Sequence, residues 1–184
     1  MFWDVGANVG GYSLYAALRT DAKVVAFEPA AVNYFLLAAN CEVNRLSARV
    51  DCLPLGLGET EELAQLTVSQ FAPAKSFSFL GRRHDQFQGK QATLIATMDQ
   101  LIDEYGLACP DYVKIDVPGM ADAVIRGAAK TLQRGHVREL HIEVQENSAR
   151  GSRIIEMLHR TGFVVARRDA HGGSSDLTFA RQVV

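Results

Sequence analysis

Apolar residues in this chain fall into two alternating patterns. Short apolar or alternating runs predict strands at the start of the chain and at residues 23–27, 49–53, 63–68, 91–96, 111–117, 139–144 and 163–167. Apolar residues at helical spacing predict helices over residues 30–44, 98–105, 121–132 and 152–160. Strands that alternate with helices are typical of a three-layer α/β fold with a mostly parallel sheet.

The C-terminal end departs from that alternation. Gly172-Gly173-Ser174-Ser175 predicts a turn, and in the strand after it Leu177 and Phe179 share one face. A hairpin in place of a helical crossover makes the last strand antiparallel, so we expect a seven-stranded sheet with that one exception. Residues 70–90 have little periodicity and predict a long loop or insertion. We expect a single domain over residues 1–184; because it begins directly on a core strand, it apparently lacks an N-terminal extension.

The amino-acid composition limits which partners and which cellular compartment are expected for the chain. The apolar content of 48% and charged content of 22% are ordinary for a globular domain. A net charge of −2 gives no electrostatic reason to expect a nucleic acid or an anionic membrane surface as partner. No apolar run reaches membrane-spanning length. The three cysteines have no metal-ligand spacing and predict free thiols in a reducing, cytoplasmic compartment.

The first strand runs into a small-residue loop that is typical of nucleotide-like ligand sites. Gly6 permits a sharp turn, Asn8 tolerates left-handed backbone angles, and Gly10 permits a close approach. Asp4 lies at the carboxyl end of the strand, where open α/β sheets bind ligands. Glu28 ends the second strand, where a carboxylate can accept hydrogen bonds from ribose hydroxyls. The alternatives are a tight turn packed only on protein and a surface acid at a strand end.

Two cofactor classes use such a loop. Dehydrogenases cradle a pyrophosphate on the helix N-terminus. S-adenosylmethionine has no phosphate and instead needs an acid near its amino group and close backbone contact, which Asp4 and Asn8 favour. An NAD-linked oxidoreductase stays the weaker alternative, since the chain has no Tyr-x-x-x-Lys pair.

Four blocks together resemble one known family. The blocks are FWDVGANVGGYSLYAA, VVAFEP, TMDQLI and DYVKIDVPGMADAVIRGA, in the order and spacing of FkbM-type methyltransferases. The resemblance implies a class I methyltransferase fold and S-adenosylmethionine-dependent O-methylation of a small-molecule or glycan hydroxyl. It implies a cofactor loop of Asp4, Gly6, Asn8 and Gly10, with Glu28 as the ribose acid and Asp116 beside the methyl-transfer point.

The chain departs from the family after Asp116. The family follows this aspartate with Val-Glu-Gly and a further glutamate, whereas this chain has Val117-Pro118-Gly119-Met120-Ala121. The cofactor blocks are intact, so cofactor binding is expected. A catalytically impaired cofactor-binding module of the same fold is therefore the alternative function.

Asp116 and Glu143 form a candidate pair. Both lie near the carboxyl ends of strands that we expect to be adjacent, with Lys114 and His141 two residues earlier on the same faces. Two carboxylates can orient a hydroxyl, accept its proton or hold a divalent cation. We predict the acid–base role for Asp116, with Glu143 second, and no metal site. The alternative is a structural ion pair for Lys114 and a loop cap for Glu143.

Overall fold

Alternating strands and helices build two sheets in the computed structural model, which describes residues 1–68, 78–80, 89–171 and 174–182. The strands are β1 (Phe2–Val5), β2 (Val24–Phe27), β3 (Val50–Leu53), β4 (Gly56–Leu57), β5 (Glu62–Val68), β6 (Ser78–Leu80), β7 (Gly89–Ala96), β8 (Tyr112–Ile115), β9 (Glu139–Val144), β10 (Phe163–His171) and β11 (Ser174–Arg181). The helices are α1 (Gly11–Arg19), α2 (Ala31–Val43), α3 (Met98–Asp103), α4 (Ala121–Arg126), α5 (Ala129–Gln133) and α6 (Ala149–Arg160).

The main sheet has seven strands in the order β10-β11-β9-β8-β1-β2-β3. β1, β2, β3, β8 and β9 pair in parallel, and β11 runs antiparallel to both of its neighbours. The predicted fold class and the antiparallel last strand are therefore confirmed. Leu177 and Phe179 are both fully buried, as their shared face predicts. The carboxyl ends of β1, β2, β8 and β9 meet at one edge, which is where such folds place a ligand.

Two hydrophobic layers cover the two faces of the main sheet. Val24 and Ala26 of β2 pack with α1 and α2 in the smaller cluster. Val25 and Phe27 of the same strand pack in the larger cluster, which includes apolar residues of α3 to α6. Successive residues of β2 therefore point alternately into the two hydrophobic layers. Because both faces of the strand are buried, its residues are apolar without interruption.

A second sheet of four strands, in the order β4-β7-β5-β6, stands apart from the main one. The runs at 63–68 and 91–96 do form strands, but they pair with each other outside the main sheet. Gly56-Leu57 pairs in parallel with β7. The predicted long loop over 70–90 contains β6, and most of its other residues lie outside the described part of the chain.

The helix predicted over 121–132 is wrong in one respect, because it is split into α4 and α5. A Cβ at Gly127 would collide with the backbone carbonyl of Gly58, so chain packing requires a glycine there. The Gly127 carbonyl accepts a hydrogen bond from Asp99 N at 3.0 Å instead of continuing the helix. The Asp99 carboxylate in turn caps α5 through the amide of Thr131 at 2.7 Å. A tertiary contact therefore overrides the helical periodicity.

Candidate functional site

The loop after β1 has the left-handed backbone that its residues favour. Gly6, Asn8 and Gly10 have φ of 79°, 54° and 96°. The amides of Gly6 and Ala7 both donate to the Phe27 carbonyl at 3.0 Å, which ties the loop to the end of β2. A Cβ at Gly6 would collide with the backbone carbonyl of Asp116. Gly6 is thus required both by its backbone angle and by the close approach of β8.

Gly10 does a different job from Gly6. A Cβ at Gly10 would press on the side chains of Leu14 and Leu37, so its neighbours there are protein side chains of α1 and α2. Its predicted contact with the cofactor stays a prediction.

Glu28 is nearly buried at the end of β2, with 5% of its surface exposed. One carboxylate oxygen accepts from Asn8 N at 2.8 Å and the other from Ala30 N at 2.9 Å. Burial raises the pKa of Glu28 above its ordinary value, while these amide hydrogen bonds oppose the rise. The carboxylate is held in one orientation at the mouth of a cavity.

The loop after β1 and Glu28, which the sequence predicts as cofactor-binding elements, line the same cavity. Gly6, Asn8 and Glu28 line its polar side. Its apolar side includes Phe27 of β2 and three residues of the second sheet that sequence reasoning missed: Leu57, Leu66 and Ile95. The available signal was Gly56-Leu57-Gly58, since a Cβ on either glycine would press on Ile95.

The cavity fits an adenosine-bearing cofactor. A fixed, buried carboxylate is suited to ribose hydroxyls, and an apolar wall suits a base. Gly6 has no side chain and therefore lines the cavity through its backbone. Glu28, Asn8 and Gly6 are therefore residues that could hold such a cofactor.

Asp4 lies beneath the loop rather than on it. Its carboxylate is fully buried, accepts a hydrogen bond from the Ser13 hydroxyl at 2.7 Å and pairs with Lys114 Nζ at 3.0 Å. Direct contact between Asp4 and the cofactor stays a prediction. Ser13 was not singled out from the sequence, because a serine on a helix carries no signal of its partner.

Lys114 connects three parts of the site. Its buried ammonium donates to the Gly6 carbonyl at 2.9 Å, pairs with Asp4 and lies 3.5 Å from Asp116 Oδ2. It also lies 5.1 Å from the centroid of the Tyr12 ring. The structural ion pair considered as the alternative for Lys114 is therefore present, and it includes the candidate catalytic aspartate.

Asp116 and Glu143 line one polar cavity, as the adjacency of their strands predicts. Ile115 of β8 lies opposite Ile142 of β9 in a parallel pair, so both acids follow at the same edge. The Asp116 side chain is half exposed, and it also borders the cofactor cavity. Glu143 accepts a hydrogen bond from the Ser174 hydroxyl at 2.7 Å. The geometry allows Asp116 to face both a cofactor and an acceptor.

Two absences in the described ranges concern metal binding and membrane crossing. Among residues 1–68, 78–80, 89–171 and 174–182, no group of three or more His, Cys, Asp and Glu side chains is arranged to hold a metal ion. Within the same ranges, no helix has both the length and the apolar character needed to cross a bilayer.

Comparison with known families and proteins agrees with this geometry. The model of the methyltransferase FkbM domain matches residues 4–165. A 31-O-demethyl-FK506 methyltransferase FkbM of Streptomyces tacrolimicus is 26% identical, over 91% of this chain and 74% of that protein. A hexuronic acid methyltransferase AglP of Haloferax volcanii is also 26% identical, over 91% of this chain and 70% of that protein.

A larger relative sets a limit on what these matches say of a whole protein. The AMB antimetabolite synthetase AmbE of Pseudomonas aeruginosa is 32% identical over 91% of this chain, but the chain spans only 10% of that relative.

Solved structures share the fold at low sequence identity. A methyltransferase FkbM from Methylobacillus flagellatus superposes with a TM-score of 0.64 at 15% identity, covering 97% of this chain and 42% of that one. A putative tRNA (m1A22) methyltransferase of Streptococcus pneumoniae, solved with S-adenosyl-L-methionine, gives 0.58 at 13% identity, covering 100% and 67%. The fold is therefore that of class I methyltransferases.

Proposed function

The chain belongs to the FkbM methyltransferase family, whose members depend on S-adenosylmethionine, and from this premise we propose that it O-methylates a hydroxyl of a small molecule or glycan. The observation that carries the proposal is the position of Asp116. Its carboxylate borders both the cofactor cavity and the polar cavity that holds Glu143. A base placed there can serve an acceptor hydroxyl beside the cofactor.

On this proposal, the chain's own residues position the cofactor and the acceptor and remove the proton of the acceptor hydroxyl. When bound, S-adenosylmethionine supplies an electrophilic methyl group. Glu28 accepts hydrogen bonds from the ribose hydroxyls, while Gly6, Asn8 and Gly10 shape the loop. Asp4 acts from below by holding Lys114. Positioning of this kind can supply a large share of the rate advantage in a bimolecular transfer.

Asp116 is the proposed acid–base residue. It would accept a hydrogen bond from the acceptor hydroxyl and take its proton as the hydroxyl oxygen replaces the cofactor sulfur on the methyl carbon, with S-adenosylhomocysteine as the other product. Lys114, 3.5 Å from Asp116 Oδ2, steadies the carboxylate. Glu143 is proposed to orient the acceptor from the neighbouring strand, and no metal is required for these steps.

The choice of acceptor class rests on charge and on relatives. A net charge of −2 gives no attraction toward nucleic acid. Two relatives are described as methylating a hexuronic acid and 31-O-demethyl-FK506. The likeness to a tRNA methyltransferase, at 13% identity, concerns the fold.

We also propose a reducing, cytoplasmic setting for the chain, which its three free thiols support.

Transfer of a labelled methyl group tests the proposal. The purified protein is incubated with methyl-labelled S-adenosylmethionine and a panel of hydroxylated acceptors that includes uronic acids, neutral glycosides and macrolides. Asp116→Asn is expected to lower the rate about 10²- to 10⁴-fold, the usual value of a general base. Asp51→Asn, an exposed aspartate on β3, is the matched control and is expected to keep the rate. An unchanged rate in Asp116→Asn overturns the assigned role.

A second candidate function is a cofactor-binding module without turnover. It is favoured by the loop after Asp116, where Pro118 and Ala121 supply no carboxylate. This module would bind S-adenosylhomocysteine while transferring no label to any acceptor in the panel. Observed transfer excludes it.

A further inference from the structure

A further cavity lies beside the acceptor side of the site, between the loop after β8 and the first turn of α6. It has a volume of about 520 Å³, within the range of small-molecule sites. Val117 and Pro118 also border the cofactor cavity, and Glu143 also borders the polar cavity. A ligand in this cavity is therefore a neighbour of Asp116.

The cationic side chain in this cavity is Arg150. Its Nε is buried, and in the described part of the chain it has no hydrogen-bond partner. It lies 3.5 Å from Asp122 Oδ1, an ion pair without a hydrogen bond. Asp122 also pairs with Arg126, at 3.2 Å from Nη1 to Oδ2. One carboxylate is thus shared by two guanidinium groups, which leaves donor capacity on Arg150.

Arg150 lines the cavity, and its surroundings leave space beside its guanidinium. The N-terminal end of α6 is capped within the chain, since the Ser148 hydroxyl accepts a hydrogen bond from Gly151 N at 2.9 Å. Gly119, with φ of 71°, faces the guanidinium: a Cβ there would lie 3.1 Å from Arg150 Nη1. The glycine leaves open the space beside the guanidinium.

We propose that this cavity binds a carboxylate of the acceptor through Arg150, so that the substrate is a hydroxy acid such as a uronic-acid sugar. A guanidinium matches a carboxylate by two parallel hydrogen bonds. A phosphate dianion fits less well, because Glu143 lines the same cavity and Asp122 lies behind Arg150. The inference rests on the proposed function, because it assigns to this cavity one part of the acceptor whose hydroxyl binds at Asp116.

Nuclear magnetic resonance tests the inference on the full chain saturated with S-adenosylhomocysteine. The Arg150 Nε–Hε signal is followed during titration with sodium glucuronate, methyl glucoside, inorganic phosphate and sodium chloride. Glucuronate is expected to shift this signal saturably, whereas methyl glucoside and chloride leave it in place. Arg150→Gln is expected to weaken glucuronate binding about tenfold or more, the loss of one charged hydrogen-bonding group. Arg153→Gln, an exposed arginine on the same helix, is expected to bind as the wild type does.

Each contrary outcome has a distinct meaning. If glucuronate leaves the Arg150 signal in place, or if chloride shifts it equally, the inference is overturned. Phosphate binding as tight as glucuronate overturns the choice of carboxylate. S-adenosylhomocysteine binding is measured in the same samples, so its absence in the wild type marks failure of the proposed function. Its presence without a glucuronate response marks failure of this inference alone.

Discussion

The cofactor side and the acceptor side of this site are built differently. On the cofactor side, Glu28 has backbone partners on both carboxylate oxygens, and the loop amides of Gly6 and Ala7 are paired with Phe27. On the acceptor side, Asp116 is half exposed and Arg150 keeps a buried Nε without a hydrogen-bond partner within the described chain. The proposed cofactor side is thus held by protein contacts, to which ribose hydroxyls would add, whereas the proposed acceptor side keeps one buried donor without a hydrogen bond in the described chain.

This difference teaches where sequence change is tolerated. We expect a change in the loop after β1 to weaken cofactor binding, because its backbone hydrogen bonds to Phe27 position the whole loop. A side whose polar groups face a cavity can change its acceptor while the fold stays intact. The departure from the family pattern borders both sides, since Pro118 lines the cofactor cavity as well as the cavity beside α6, which Ala121 also lines.

Removing the cation between the two sides has the largest expected effect on stability. Lys114→Met leaves Asp4 fully buried without its ion-pair partner, which costs about 3–5 kcal/mol of unfolding free energy. Urea unfolding measures the loss. Adding Asp4→Asn to Lys114→Met is expected to recover part of it, because the uncompensated charge is gone. Strict additivity of the two variants would refute the proposed coupling.

The same substitution at two glycines compares the two sides directly. Gly6 and Gly119 have similar φ, 79° and 71°, but a Cβ at Gly6 meets backbone whereas one at Gly119 meets a side-chain tip. Gly6→Ala is expected to cost about 3 kcal/mol or more from strain plus collision. Gly119→Ala should cost about 1–2 kcal/mol from backbone strain alone. Denaturation and S-adenosylhomocysteine calorimetry check both, and equal losses would contradict the comparison.

Glu28→Gln is expected to weaken S-adenosylhomocysteine binding about 10- to 100-fold, the value of charged hydrogen bonds to the ribose. Because burial raises the pKa of Glu28, wild-type affinity should decline on acidification at a higher pH than an exposed glutamate would cause. Calorimetry across pH measures this, and the variant should lack that dependence. An identical pH profile in the two proteins would remove Glu28 from the ribose site.

The same pKa shift has a consequence for the unliganded protein. Stability associated with the protonated Glu28 is fully present below its ordinary pKa and is lost as pH rises through the raised value. Cofactor binding and stability therefore respond to Glu28 in opposite directions with pH.

The left-handed loop on the proposed cofactor side was predictable from sequence because its signals are local. Asn8 and Gly6 lie within one loop, and their left-handed angles follow from residue type. Glu28 follows from its place at the end of a strand. Two partners of Lys114, the Gly6 carbonyl and Asp4, were not predictable, since Gly6 is 108 positions away in sequence and Asp4 lies in the same distant segment. Only the folded chain brings them together.

The acceptor side and the second sheet depend on contacts of this long-range kind. Leu57, Leu66 and Ile95 line the proposed cofactor cavity because β4, β5 and β7 pair beside it. The periodicity of the sequence does not predict where that sheet packs. The break between α4 and α5 likewise follows from the approach of Gly58 to Gly127. Local pattern predicted most of the elements, though not the short strands β4 and β6, while packing decided their neighbours.

The separation of the two sides is tested most directly by titrating Asp116→Asn with S-adenosylhomocysteine in a calorimeter. The substitution keeps the shape of the side chain and removes its charge. The predicted result is a Kd within about threefold of the wild type, since less than 1 kcal/mol of cofactor binding is assigned to this carboxylate. A Kd about tenfold weaker or more would contradict the account, because Asp116 would then belong to the cofactor side.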